Sequence, residues 1–325
     1  MQGSIRGLMD SLNDPYSSYM DPDEYKQLNT PIQGEYTGIG AWVDTTGDFL
    51  VIISPMPGSP AEEVGLQPED KVIAIDGENV TGINPEVVLE KILGPAGSEV
   101  KLTIQRESEG ESLEFNIIRA VILIPSVDSE ILENDIGYLR LYTFGVNSSD
   151  EVRIEVENML SAGIKGLIFD LRNNSGGLVD ASVDVTSIFL NNAVVLVEEW
   201  PDGSKNEYKT QNNSIAPGIP LVILVNNGSA SASEITAGAL QDAGRAALIG
   251  TQTFGKGLIQ NWVPLLEENG AIRITIARWL TPNGRQIQGD GLTPDYVSEL
   301  TEDDYDQGND RQLQKAIEVI TNELE

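Results

Sequence analysis

Leu221-Val222-Ile223-Leu224-Val225-Asn226-Asn227-Gly228-Ser229-Ala230-Ser231-Ala232-Ser233-Glu234 is the stretch that decides the fold. Its five consecutive apolar residues predict a strand that is buried on both faces. A turn rich in glycine and serine follows, and then a helix. Residues 166–177 repeat this pattern, because the apolar strand Gly166–Leu171 runs into Arg172-Asn173-Asn174-Ser175-Gly176-Gly177. Functional groups in α/β sheets tend to lie where such strands end, so both turns are candidate sites.

Strands alternate with helices on both sides of this stretch, through residues 121–325, which predicts a layered α/β domain. Residues 35–120 form a smaller mixed unit, and residues 1–34 form an N-terminal helical segment. The fold class is therefore mixed α/β (α+β). The predicted elements of the large domain include strands at 136–141, 166–171, 194–200 and 221–225 and helices at 149–160, 178–190 and 312–324.

The composition excludes several classes of chemistry. The chain has 325 residues with a net charge of −31, and such a negative field repels phosphate backbones and anionic lipids. We therefore expect no nucleic-acid partner and no membrane contact. Cys and His are both absent, which removes thiolate nucleophiles, Ser-His-Asp triads and the usual zinc sites. Any general base must be Lys, Asp, Glu or Tyr.

The N-terminus gives no targeting information. Met1-Gln2-Gly3-Ser4 lacks a basic start and an apolar core, so we predict no signal peptide and expect the first helix to be truncated. The sequence contains no run of about 18 apolar residues, so we predict no transmembrane helix.

A nucleophile can be sought in the serine-rich turn. Ser229, Ser231 and Ser233 lie where backbone N–H groups and a helix dipole can stabilise an oxyanion. From this pattern alone, helix capping explains such serines better than catalysis does, and position does not choose among the three.

The base can be sought among nine lysines, most of which lie in polar or peripheral segments. Lys256 differs, because it lies between two glycines in Thr253-Phe254-Gly255-Lys256-Gly257-Leu258-Ile259, among apolar neighbours. Burial lowers the pKa of a lysine, as a lysine base near neutral pH requires. The alternative is a structural lysine that extends to water.

Two other patterns are rejected. Ser98-Glu99-Val100-Lys101 has the spacing of a serine/lysine motif, but on a strand its ends point to opposite faces. The acidic residues 301–308 do not fit a calcium loop, and we predict no metal and no cofactor.

Several separate stretches resemble the carboxy-terminal processing peptidases, also called tail-specific proteases. The resemblance covers nearly the whole chain and includes Asp14-Pro15-Tyr16-Ser17. The other matching stretches are 170–177, 228–235, 253–257, Thr281-Pro282-Asn283-Gly284-Arg285 and Ile287-Gln288-Gly289. It implies a crotonase-like peptidase core in which Ser231 is the nucleophile and Lys256 is the base.

The resemblance implies further roles. It makes Gln260 the residue that orients the lysine, although four residues of flat strand span about 13 Å and the chain must bend near Gly257. Glu234 supports the site or, equally, stabilises the helix dipole. The implied oxyanion donors are the N–H groups of Ala232 and of Gly176 or Gly177. The family usually has Pro at the position of Ser175.

The unit at 35–120 resembles a PDZ domain, in which Gly38-Ile39-Gly40 matches the loop that binds a free C-terminal carboxylate. A simple turn would explain these glycines as well.

Together these resemblances imply a serine endopeptidase that acts through an acyl-enzyme on proteins or peptides with free C-termini. They also imply an extracytoplasmic location and allow a homo-oligomer. Two alternatives stay open: a non-catalytic binding protein on the same scaffold, and an adaptor in which only the PDZ unit functions.

Overall fold

The computed structural model describes residues 2–266, 269–301, 304 and 307–324. These residues form two compact units. The small unit runs from Glu35 to Ile124, and the large unit combines the N-terminal residues through Gly34 with those from Pro125 onward. The mixed α/β class predicted from the sequence is confirmed.

The N-terminal segment contains α1 (Gln2–Asp10), β1 (Ser18–Met20) and α2 (Pro22–Gln33). Asp21 and Glu24 form a capping box at the start of α2, and Gly34 ends the helix in a left-handed conformation. We predicted this segment as a separate piece, but it belongs to the large unit, because β1 pairs with a strand near the C-terminal end of that unit.

The small unit has eight strands and two helices. Its main sheet has the strand order β3-β4-β5-β7-β8, with β6 beside β5, while β2 and β9 form a separate pair. Because β9 pairs with β2, the small unit extends a few residues beyond residue 120, where we predicted it to end. The elements are β2 (Glu35–Gly38), β3 (Ala41–Asp44), β4 (Val51–Pro55), α3 (Pro60–Glu63), β5 (Lys71–Ile75), β6 (Glu78–Asn79), α4 (Pro85–Ile92), β7 (Glu99–Gln105), β8 (Leu113–Ile118) and β9 (Ala120–Leu123).

The large unit continues with ten strands and four helices in its described residues. They are β10 (Val127–Leu132), β11 (Ile136–Leu141), α5 (Ser148–Ala162), β12 (Gly166–Asp170), α6 (Val179–Phe189), β13 (Val194–Glu199), β14 (Lys205–Lys209), β15 (Leu221–Val225), α7 (Ala232–Asp242), β16 (Ala247–Gly250), β17 (Leu258–Pro264), β18 (Ala271–Leu280), β19 (Tyr296–Val297) and α8 (Arg311–Leu324). Each strand and helix predicted above for the large domain is present, with ends that shift by one or two residues.

The main sheet of the large unit has the order β10-β11-β12-β15-β16-β19, and the strands from β11 to β19 run parallel. Every residue of β12 and β15 is buried, because α8 covers one face of the sheet and the main apolar core covers the other. The carboxyl ends of these two strands are adjacent, so the two turns identified in the sequence meet there.

A second sheet has the order β1-β18-β13-β14, with β17 on the other edge of β18. It provides the strands on which the residues after Lys256 lie. Within the described residues, no helix combines the length and apolar composition that a membrane-spanning helix needs.

Candidate active site

Hydrogen bonds join the two turns at the sheet edge. The amides of Asn173 and Asn226 pair, with the Asn226 Nδ2 donating to Asn173 Oδ1 at 2.9 Å. The Ala230 N–H donates to the Asn174 carbonyl at 3.0 Å. A Cβ added to Gly176 would lie 2.8 Å from the Ser231 Cβ, so only glycine allows the turns to approach this closely.

The structure separates the three serines that the sequence left equivalent. Ser229 is fully buried, and its hydroxyl donates to the Leu171 carbonyl at 2.8 Å. Ser233 is also fully buried and donates to the Asn174 carbonyl at 2.8 Å. Ser231 lines a cavity, and although its Oγ faces the Glu234 N–H in the capping box of α7, its hydroxyl donates to no described acceptor. Two serines therefore hold the turns together, and one is free to react.

The backbone of Ser231 is strained. Its φ of 54° and ψ of −115° lie in a backbone region that residues other than glycine rarely adopt. Such strain costs on the order of 1–3 kcal/mol and persists where the surrounding structure imposes it, often at a functional site. Here the strained residue lies directly before the first turn of α7, where the helix dipole is positive.

Lys256 lies in the loop between β16 and β17, and its backbone is fixed on both sides. Its N–H donates to Glu234 Oε2 at 2.9 Å, and its carbonyl accepts the Trp279 indole N–H at 3.0 Å. Burial and then the positive charge of Arg273 lower the pKa of the Lys256 ammonium, against the opposing charge of Glu234. The direction of this shift favours the neutral amine that a base requires.

Glu234 is a fully buried carboxylate that joins the serine turn to the lysine loop. Its Oε2 accepts the N–H groups of Ser231 and Lys256, both at 2.9 Å. Its Oε1 accepts the Gly255 N–H at 2.7 Å and the Thr253 hydroxyl at 2.5 Å. One carboxylate thus fixes the backbones of both predicted reacting residues.

The N–H groups proposed as oxyanion donors differ in their availability. The Gly176 N–H donates to the Asn174 Oδ1 at 2.9 Å, and this bond holds the turn at the position where the family usually has Pro. The Ala232 and Gly177 N–H groups have no acceptor among the described residues. The geometry therefore favours Ala232 with Gly177.

A cavity of about 620 Å³ opens beside these groups and is lined by both Ser231 and Lys256. Gln260 lines it as well, and a register shift between Ile259 and Gln260 supplies an irregularity in β17. The structure places all three predicted side chains at one cavity. It does not join them, since no hydrogen bond links the side chains of Ser231, Lys256 and Gln260 to one another, and the buried Gln260 Nε2 has no partner among the described residues.

Known proteins are similar to this chain over most of its length. The sequence model of peptidase family S41 matches residues 135–298, and that of the PDZ domain matches residues 51–106. The carboxy-terminal-processing protease of Bartonella bacilliformis is 38% identical over 92% of this chain and 69% of its own length. The chain belongs to peptidase family S41.

Other relatives and a solved structure extend the similarity of this S41 chain. The carboxyl-terminal-processing protease of Synechocystis is 35% identical over 98% of this chain and 76% of its own length. The solved structure of a photosystem II D1 C-terminal processing protease is 31% identical, with a TM-score of 0.55, and the match covers 92% of this chain and 81% of that one. Among the similar curated proteins, the chain spans 64% of the length of the carboxy-terminal processing protease CtpA of Bacillus subtilis.

The PDZ domain of this S41 chain carries the second predicted site. Gly38 ends β2, and the carbonyls of Ile39 and Gly40 accept the N–H groups of Ala61 and Met56 at 2.8 and 3.0 Å. The N–H groups of Ile39 and Gly40 have no acceptor among the described residues. Gly40 has a φ of 76°, a left-handed conformation that favours glycine.

Four residues of the acidic stretch 301–308, at positions 302, 303, 305 and 306, lie outside the described residues. Within the residues that the structure describes, no cluster of three or more acidic side chains is arranged to hold a metal ion.

Sequence reasoning missed two contributors to the S41 site. Thr253 lies within a quoted motif, but nothing in the sequence connects its hydroxyl with Glu234, 19 positions away. Arg273 lines the cavity from β18, and its position on a strand gives no signal of the face to which it points.

Proposed function

We propose that this chain is a serine endopeptidase in which Ser231 is the nucleophile and Lys256 is the general base. The observation that carries the proposal is the position of Ser231. It alone of the three serines lines the cavity and donates its hydroxyl to no described acceptor, and the carboxylate that holds its backbone also holds that of Lys256.

In the proposed mechanism, the neutral Lys256 side chain turns toward Ser231 and takes the proton from its Oγ. The Oγ then attacks the carbonyl carbon of the scissile peptide bond. The Ala232 and Gly177 N–H groups donate to the oxygen that becomes negative in the tetrahedral intermediate. Gln260 orients the lysine through its side-chain amide, which lies buried at the same cavity.

Collapse of the intermediate breaks the C–N bond, and the Lys256 ammonium returns its proton to the leaving amine. The acyl group stays on Ser231 as an ester. Lys256 then removes a proton from water, which attacks the ester and releases the second product and the free serine.

We propose that the substrates are proteins with accessible C-termini. Support comes from the PDZ domain, whose Ile39 and Gly40 N–H groups are free to bind a terminal carboxylate, and from relatives named as carboxy-terminal processing proteases. An extracytoplasmic location and self-association stay proposals that rest on the family resemblance.

The test compares Ser231→Ala and Lys256→Ala with wild type on an unstructured protein that ends in apolar residues. We expect either change to lower the rate of cleavage by about 10³-fold or more, because each removes a reacting group. Matched controls are Ser112→Ala and Lys209→Ala, which alter exposed residues and should leave the rate unchanged.

A fluorophosphonate probe gives a second readout, since it reports nucleophilicity without a known substrate. Wild type should be labelled at Ser231, and the Lys256→Ala variant only weakly. If wild type neither cleaves nor is labelled but binds apolar ligands, the non-catalytic alternative replaces this proposal.

A further inference from the structure

The charge at the cavity differs in sign from that of the chain. The chain carries 51 acidic and 20 basic residues, yet among the described residues that line the cavity none is acidic. The charged residues lining it are Lys256 and Arg273. Since a base must be neutral to act, Lys256 carries no charge in the reactive state. Arg273 is then the permanent cation of the cavity, because a guanidinium keeps its proton in proteins.

The geometry of Arg273 leaves most of its donors free. Its Nε donates to the Tyr16 carbonyl at 3.1 Å, which fixes the plane of the guanidinium. On the neighbouring strand, Arg273 lies directly opposite Trp262, and both residues line the cavity. Neither Nη atom has a protein acceptor within the described part of the chain.

The nearby acidic residue does not neutralise Arg273. Against the opposing effect of burial, the positive charge of Arg273 helps to lower the pKa of the Asp14 carboxyl. The hydrogen bonds of that carboxylate, however, come from the Ser17 hydroxyl at 2.6 Å and the Tyr16 N–H at 3.1 Å. No ion pair joins Arg273 to any described acidic residue. Arg273 therefore lines the cavity with two Nη atoms that have no partner among the described residues.

We propose that Arg273 is a specificity-determining residue that binds a carboxylate of the substrate inside the active-site cavity. A planar guanidinium with both Nη atoms free matches the two oxygens of a carboxylate. The carboxylate is either the C-terminus of a short segment beyond the scissile bond or an acidic side chain near it. The inference deepens the proposed peptidase function and rests on it.

The test uses internally quenched peptides of Ala, Val and Leu in two matched pairs. One pair differs only in a C-terminal carboxylate or carboxamide, and the other only in an internal Glu or Gln. The kcat/KM ratio within each pair is measured for wild type, Arg273→Gln and Arg273→Lys. Arg278→Gln is the control, since Arg278 lies on the same strand but pairs with Glu199 away from the cavity.

We expect wild type to prefer one carboxylate peptide by about tenfold or more, as a charge-assisted hydrogen-bonded pair would provide. Arg273→Gln should reduce that ratio to about one, and Arg273→Lys should give an intermediate value. If Arg273→Gln loses the preference within the first peptide pair, the group that Arg273 binds is the C-terminal carboxylate. If it loses the preference within the second pair, that group is an acidic side chain. Ratios that are equal in wild type and Arg273→Gln overturn the inference, even if absolute rates change.

Binding provides a measurement that does not need turnover. The same peptides are titrated by fluorescence anisotropy into Ser231→Ala and into Ser231→Ala with Arg273→Gln. The PDZ domain is present in both proteins, so its own affinity for carboxylates cancels in the comparison. Weaker binding of the carboxylate peptide to the double variant supports the inference, and equal or undetectable binding to both rejects it. Absence of cleavage by wild type would instead reject the proposed function.

Discussion

Asp70 in the small unit and Glu234 in the large unit are both fully buried carboxylates, but of the two only Asp70 forms an ion pair with a described residue. Asp70 accepts the Arg106 Nε at 2.7 Å and its Nη2 at 2.8 Å, in a bidentate pair. Glu234 is bound by three backbone N–H groups and one hydroxyl, and no described lysine or arginine forms an ion pair with it.

The difference shows what each carboxylate does. An ion pair neutralises Asp70, so its charge acts only on Arg106 and on the local turn, where it also accepts the Gln67 N–H. The charge of Glu234 is spread over N–H groups and still acts on Lys256, whose pKa it tends to raise. Asp70 stabilises the small unit, whereas Glu234 holds in place the two residues that we propose to react. Three predictions test this contrast.

The largest expected effect is on catalysis by Glu234→Gln. The amide cannot accept all four hydrogen bonds, so Ser231 and Lys256 lose their common anchor. We expect kcat to fall by about 10³- to 10⁴-fold, as for loss of the orienting carboxylate in a catalytic triad. Steady-state kinetics and urea unfolding are measured together. If kcat is nearly unchanged while the free energy of unfolding falls, Glu234 is structural like Asp70.

The next effect is on the stability of the small unit in Asp70→Asn. Removing the charge leaves Arg106 partly buried without its partner, which costs about 3–5 kcal/mol for a broken buried pair. Hydrogen exchange in the full-length chain should show faster exchange in β5 and β7. Asp48→Asn, an exposed position in the same unit, serves as control and should leave exchange unchanged.

If the two carboxylates have these different roles, Asp70→Asn should leave labelling of Ser231 by the fluorophosphonate probe intact, because the change lies outside the large unit. Loss of labelling at Ser231 as complete as in Glu234→Gln would break the contrast between the two carboxylates.

The smallest effect is a shift in pH dependence. In the proposed mechanism the neutral form of Lys256 is the active one, so kcat/KM should rise with pH through the pKa of Lys256, at a pH below the ordinary lysine value of about 10.4. Arg273→Gln removes a positive charge that disfavours the ammonium, so the pKa should rise and the inflection should move to higher pH. Arg278→Gln should leave the inflection in place. An inflection that moves to lower pH in Arg273→Gln would contradict the assigned direction.

Much of the fold was predictable because its signals are local. The apolar runs at 166–171 and 221–225 are strands, and the residues after them form turns and helices as predicted. The N-terminal segment was assigned to a separate piece because its attachment depends on the pairing of Ser18–Met20 with β18, some 250 residues away. No local pattern contains that information.

The sequence by itself restricted the kind of chemistry available and indicated one candidate base. The absence of His and Cys requires a base of another type, and the glycine-flanked, apolar surroundings distinguish Lys256 from the other lysines. Only the tertiary structure decided which serine is free. Ser229, Ser231 and Ser233 have similar neighbours along the chain, but carbonyls 58 and 59 positions away bind two of them. Burial and long-range hydrogen bonds, rather than local propensity, leave Ser231 with a free hydroxyl and place Arg273 at the same cavity.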